Sequence, residues 1–179
     1  MSYYITPDEK NWTWVLERQC GECGFDASTF DPARTAVALR DQVRRWTSVL
    51  ERKDVRTRPQ PGVWSPLEYS CHVRDVFRKF DERLQLMLET EDPAFENWDQ
   101  DATAIEDQYE TQNPETVARE LIDAGLSLAT RFESVNQNQW IRRGFRSDGS
   151  VFTVSSIAKY LMHDPVHHLW DVGADVPQY

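Results

Sequence analysis

Residues 65–89 read SPLEYSCHVRDVFRKFDERLQLMLE, and this stretch sets the fold class. Ser65-Pro66-Leu67-Glu68 combines a serine N-cap, proline at the first helical position and glutamate three residues after the cap, so a helix starts at Pro66. It can run to about Glu89, roughly 37 Å at 1.5 Å per residue. His72, Val76 and Phe80 fall four apart, on a face that also carries Tyr69 and Leu84. His72 therefore points with the apolar stripe rather than with Arg74, Arg78 and Lys79.

Outward from this helix, the same kind of signal recurs. Asp31-Pro32 offers an N-cap followed by proline, and Ala36, Leu39, Val43, Trp46 and Leu50 then repeat at a helical spacing. Pro59, Pro61 and Gly62 stop that helix. Asn113-Pro114 opens a third, with a stripe through Val117, Leu121, Ala124, Leu128 and Val135. Asp148-Gly149, set between IRRGFR and VFT, marks the turn of a short two-stranded ribbon. Thr153 then caps a fourth helix reaching about Val172. Pro165 lies inside it, removes a backbone donor and predicts either a kink or a new segment starting at Asp164.

These elements predict an all-α protein, a four-helix bundle with a short β-hairpin before the last helix and an irregular N-terminal arm. One domain spans residues 1–179, with the arm over 1–30 and the bundle over about 31–172. A hydrophobic content of 40% with seven tryptophans excludes a disordered chain. No apolar run approaches the ~20 residues a bilayer requires, and the N-terminus lacks a basic region followed by an apolar one, so a cytoplasmic protein without membrane contact is expected.

The net charge is −10, and its source is local. Between Leu84 and Ala118 there is no Lys or Arg, but ten acids: Glu89, Glu91, Asp92, Glu96, Asp99, Asp101, Glu106, Asp107, Glu110 and Glu115. Without them acids and bases balance, 20 of each. Nucleic acid and anionic lipid are poor partners for such a surface. The segment reads either as a solvated connection or as a charged lip beside a site. Asn97-Trp98-Asp99-Gln100-Asp101 is its most unusual stretch, and Trp98, Asp99 and Asp101 are candidates for the mouth of a pocket.

The chemistry lies in four histidines and three cysteines. His163 and His167 are four apart, so one helix face can present both to a single ion. With His72 from a facing helix they would form a three-ligand site with an open position, the arrangement of catalytic zinc. His168 sits ~100° around the helix from His167 and is expected to face elsewhere. Glu68, Asp75 and Asp171 are candidates for carboxylates that orient these imidazoles. Cys20 and Cys23 have C-x-x-C spacing, which leaves three readings open: incidental thiols, a metal knuckle completed by other ligands, or a redox pair. Cys71 reads as a small buried residue. Arg142, Arg143 and Arg146 on the ribbon could attract an anionic cosubstrate.

Ser65-Pro66-Leu67-Glu68-Tyr69 followed by His72, together with His163-Asp164-Pro165-Val166-His167-His168, resembles the DinB-like superfamily of four-helix bundles. The resemblance covers about Asp31 to Val172 and leaves the arm outside. It implies a bundle binding zinc or nickel through His72, His163 and His167. It also implies a metal-dependent enzyme acting on a small molecule, since relatives include thiol S-transferases using bacillithiol or mycothiol and a mycothiol-dependent maleylpyruvate isomerase. A thiol cosubstrate is the leading expectation, with hydrolysis by the same ion behind it. The alternative is a non-catalytic metal-binding or stress-response module. A homodimer is a plausible assembly for such a bundle.

Overall fold

The caps read from the sequence form as hydrogen bonds. The structure, a computed structural model, describes residues 5–6 and 11–179. The beginning of the expected arm, residues 1–4 and 7–10, lies outside the described residues. Asp31 accepts from Ala33 N at 3.0 Å and opens a short 3₁₀ turn that leads into α1 (Thr35–Leu50). Ser65 and Glu68 close a capping box on α2 (Pro66–Glu89), with Ser65 N donating to the Glu68 carboxylate at 2.8 Å. Asn113 caps α4 (Pro114–Glu133), and Thr153 closes a second box with Ser156 on α5 (Val154–Asp171).

Helices α1, α2, α4 and α5 make the bundle. Helix α4 packs on both α1 and α2, and α5 closes against the same two helices. The stripe residues are the core: Leu39, Trp46, Phe77, Leu84, Leu121, Leu128, Ile157 and Leu161 are fully buried. Close approach of α4 depends on Gly125, where a Cβ atom would sit 2.4 Å from Val43 Cγ2 and 3.2 Å from the Phe77 ring.

The acidic connection is not an open loop. It contains a strand, β1 (Ala94–Phe95), and a short helix, α3 (Gln100–Glu106), which the sequence reading lacked. β1 pairs in parallel with β2 (Arg143–Arg146), which pairs antiparallel with β3 (Val151–Thr153), so the expected ribbon is the larger part of a three-stranded sheet. The ribbon's turn is as expected, with Gly149 at φ +90°. Further along, Tyr109 is fully buried and its hydroxyl donates to Asp75 at 2.6 Å. Two residues of β-structure and one buried aromatic are too little pattern for periodicity to detect.

Helix α5 runs unbroken through Pro165, and no new segment begins at Asp164. The Pro165 carbonyl accepts a hydrogen bond from the Trp46 indole at 3.3 Å, which ties this part of α5 to α1. The arm folds onto the bundle as a 3₁₀ turn (Trp12–Leu16) and a tight loop, burying Val15, Cys20, Cys23, Phe25 and Phe30. Lys159 on α5 donates to the Ala27 carbonyl at 2.6 Å. No helix among the described residues is long and apolar enough to cross a membrane.

Candidate metal centres

The segment 163–168 carries two pairs at i, i+4: His163 with His167, and Asp164 with His168. They lie on neighbouring helix faces about 100° apart. The structure turns these two faces toward different partners and so creates two groups able to hold a metal ion: His72, Asp164 and His168, and Cys20, Cys23, His163 and His167. Within each group the donor atoms lie within 4.8 Å of one another.

The first group joins α2 to α5. His72 Nε2 is 3.3 Å from Asp164 Oδ2, and His168 Nε2 is 3.9 Å from the same oxygen. His168 Nδ1 lies 2.7 Å from Asp171 Oδ2, a carboxylate contact that fixes the ring and leaves Nε2 turned to Asp164. The indole of Trp98 stacks flat on His72, with centroids 5.5 Å apart and planes 1° from parallel. Among the described residues, Asp164 Oδ1 and His72 Nδ1 are buried without a hydrogen-bond partner. Burial would raise the Asp164 carboxyl, but His72 and His168 beside it outweigh that effect and hold it at about 2. Two imidazoles and an ionised carboxylate, with polar atoms left unsatisfied, fit a divalent cation. Three protein ligands leave a position open.

The second group joins the arm to α5. All four residues are buried, none more than 6% exposed. Cys20 Sγ lies 3.6 Å from His167 Nδ1, and the rings of His163 and His167 are 5.0 Å apart. Burial pushes the His163 imidazole down to about 3, and His167 acts in the same direction. Burial also pushes the Cys23 thiol up to about 12, well above the range of reactive thiols. Cys71, raised to about 12 by burial, belongs to neither group and is the inert small residue expected.

A cavity of about 100 Å³ opens beside both groups, lined by Trp12, Trp98, Tyr160, His163, Asp164, His167 and His168 among others. Two arginines reach its wall. Arg146 is held by Asp148 at 2.7 Å and by the Tyr160 hydroxyl. Arg83 is buried and makes no ion pair among the described residues; it donates to the Glu96 carbonyl at 2.9 Å, and its Nε has no partner. Burial, with Arg146 nearby, lowers the Arg83 guanidinium to about 10. A buried guanidinium with no direct ion pair among the described residues, lying over the Phe80 and Phe95 rings and facing a cavity, is suited to an anion.

The expected ligand triad of His72, His163 and His167 is therefore not the grouping the structure forms. The correction has a single physical cause, the one-residue step around α5. Helix α2 faces Asp164 and His168, whereas the arm faces His163 and His167. His168 does not face elsewhere: its ring lies 5.0 Å from that of His72. Of the candidate orienting carboxylates, Asp171 serves His168. Glu68 is engaged by Arg58 at 2.5 Å and by its cap, and Asp75 by Arg74, Arg78 and Tyr109. Trp98 lines the cavity. Asp99 instead caps α3 through Ala102 N at 2.9 Å, and Asp101 lines a neighbouring cavity with Trp64 and Asp171. On the ribbon only Arg146 reaches the site. Arg142 donates to the carbonyls of Met87 and Thr90, and Arg143 pairs with Asp92. Arg83 was missed although its spacing could have found it, since it falls three residues after Phe80 and seven after Val76, on the face that carries His72.

Fold and site together define a four-helix bundle with two clusters able to hold a metal ion, where its last helix meets α2 and the arm. The DinB superfamily profile matches residues 35–172, and the chain belongs to that superfamily. Its fold is similar to YfiT from Bacillus subtilis, described as "a probable metal-dependent hydrolase with an unusual four-helix bundle topology". That likeness has a TM-score of 0.61 at 17% identity and covers 96% of this chain and 95% of YfiT. It is also similar to the mycothiol-dependent maleylpyruvate isomerase, with a TM-score of 0.66 at 13% identity, over 84% of this chain and 66% of the isomerase. No curated protein matches the chain by sequence.

Proposed function

We propose that this protein is a metal-dependent enzyme that activates a small nucleophile, a low-molecular-weight thiol or water, for attack on a small anionic electrophile. The observation that carries the reading is the three-ligand group His72, Asp164 and His168 at the edge of a cavity that also receives an unpaired buried arginine. When bound there, a divalent ion such as zinc or nickel supplies Lewis acidity that lowers the pKa of a coordinated water toward ~7 or ionises a coordinated thiol. Asp171 orients His168. Trp98 covers His72 and keeps bulk water from that side of the ring. Arg83 and Arg146 hold the anionic end of the electrophile, and Trp12 and Tyr160 enclose the rest.

A group closed by four protein ligands would favour the non-catalytic alternative. Among the described residues Asp164 is instead one of three, which favours catalysis. The likeness to YfiT supports metal-dependent hydrolysis, and the likeness to the isomerase supports a thiol cosubstrate. The cavity of about 100 Å³ holds only a few non-hydrogen atoms, while the adjoining one of about 250 Å³ shares Trp12, Gln100, His167 and His168 with it and offers room for a larger thiol.

The test is turnover of matched anionic and neutral electrophiles, each with mycothiol, bacillithiol or water as the nucleophile. Arg83→Gln is expected to raise KM for the anionic electrophiles by about 10–100-fold, the loss of one charge-assisted hydrogen bond of about 1.5–3 kcal/mol. The neutral ones should be little changed. Equal loss on both, or no turnover of any pair by metal-loaded protein, would contradict the proposal.

A further inference from the structure

The second group is not needed for that chemistry, and its composition is of another kind. Cys20 and Cys23 come from a tight loop in which Gly24 N donates to the Cys20 carbonyl at 2.9 Å and Cys20 N donates to the Phe25 carbonyl at 2.9 Å. Gly24 takes φ +77°, a left-handed turn that glycine adopts without strain. The loop is thereby folded back against α5, with its two sulfurs beside His163 and His167.

We infer that Cys20, Cys23, His163 and His167 form a closed tetrahedral zinc site that fastens the N-terminal arm to α5. Two thiolates and two imidazoles are a common structural zinc set, and sulfur ligands favour zinc over harder divalent ions. Bond lengths of about 2.0–2.3 Å put neighbouring ligands of a tetrahedral zinc about 3.3–3.8 Å apart. The Cys20–His167 separation of 3.6 Å lies in that range, and all four donors are mutually within 4.8 Å. His163 Nε2 is buried with no hydrogen-bond partner among the described residues, as a ligand nitrogen awaiting its ion would be. For His167 the ligand nitrogen is Nδ1, which faces Cys20. Its other nitrogen, Nε2, lies 3.5 Å from the Glu22 carboxylate, on the side away from Cys20.

Binding deprotonates both thiols: two S–Zn bonds form, two protons leave to solvent, and the two thiolates neutralise the ion. The surroundings are apolar, with Trp12 5.0 Å from the His167 ring and Phe25 5.9 Å from that of His163. Four protein ligands fill the tetrahedron, so the ion is structural. Because Trp12 on the arm also lines the cavity, the site holds one wall of the pocket in place. The inference stands apart from the proposed activity and survives if no substrate is found.

The experiment is metal analysis of untagged protein reconstituted with zinc under reducing conditions, followed by titration with an organomercurial in the presence of a chromogenic chelator. Wild type is expected to hold two equivalents of zinc, one released as the mercurial takes the thiolates. His72→Ala should keep the mercurial-released equivalent and lose the other. Cys20→Ser/Cys23→Ser should do the reverse. Cobalt-substituted wild type, which needs no variant to fold, should show sulfur-to-cobalt charge-transfer absorption. Absence of that absorption, absence of mercurial-released zinc, or a Cys20–Cys23 disulfide in freshly isolated protein would overturn the inference.

Discussion

His168→Ala is expected to strip the metal from the group of His72, Asp164 and His168 and reduce turnover by at least about 100-fold, while the protein stays folded and the cysteine-bound zinc remains. The argument is local. His168 contributes one of three donors, and Asp171 holds its ring 2.7 Å away so that Nε2 faces Asp164. Removing an outer carboxylate of this kind typically costs 10–100-fold in metal affinity or activity, so removing the ligand itself should cost at least the upper end. Asp171→Asn supplies the intermediate case and should fall within that 10–100-fold range. Metal content and initial rates, measured together on both variants, check the order. Equal rates for wild type and His168→Ala in metal-loaded protein would exclude His168 as a ligand.

Asp75→Ala is expected to cost about 1.5–3 kcal/mol of stability, because it removes charge-assisted hydrogen bonds from buried Arg74 and leaves the Tyr109 hydroxyl without its acceptor, while Arg74 keeps Glu120 at 2.8 Å. Arg74 is 3% exposed and its guanidinium sits 2.8 Å from Asp75, which also accepts from Tyr109 at 2.6 Å. For a chain of this size that loss corresponds to a fall in Tm of roughly 3–12 °C. Metal content should not change, because Asp75 touches neither group. Burial would raise the Asp75 carboxyl, yet Arg74 and Tyr109 hold it below the ordinary carboxylate range. Its folded-state pKa is thus depressed. The stability it contributes is full above its unfolded value of about 3.9 and is lost as pH falls through the folded value. Thermal melts of wild type and variant should therefore differ most above about pH 4 and converge in acid. A variant that melts with wild type at neutral pH would show that the pair adds nothing.

Much of the fold was legible because its signals are local. Asp31, Ser65, Asn113 and Thr153 each announce a helix start through a side chain bonding a backbone amide one turn away, and each does so in the structure. The apolar stripes of α1, α2 and α4 follow from spacing alone. β1 and α3 were not legible, since a two-residue strand exists only by pairing with Phe145 and Arg146, some fifty residues away.

The site was legible only in part: His72 was read as a ligand, but Asp164 was not and His168 was expected to face elsewhere. Spacing identifies His163-x-x-x-His167 as a pair, but the same six residues contain Asp164-x-x-x-His168 one step around the helix. Which pair meets His72 depends on how α5 is rotated against α2, a tertiary quantity that no local pattern encodes. The C-x-x-C spacing left a metal knuckle open as one of three readings, and the histidines set beside the pair, more than 130 residues away, could not be read from it. Pro165 suggested a break, but its cost is set by packing, and here the helix continues with the Pro165 carbonyl engaged by Trp46.

The most direct test of the central claim is anomalous diffraction at the metal edge from crystals of the metal-loaded protein. The account predicts a peak within about 2.0–2.2 Å of a ligand atom from each of His72, Asp164 and His168. A single peak shared by His72, His163 and His167, or no peak beside His72, would contradict it.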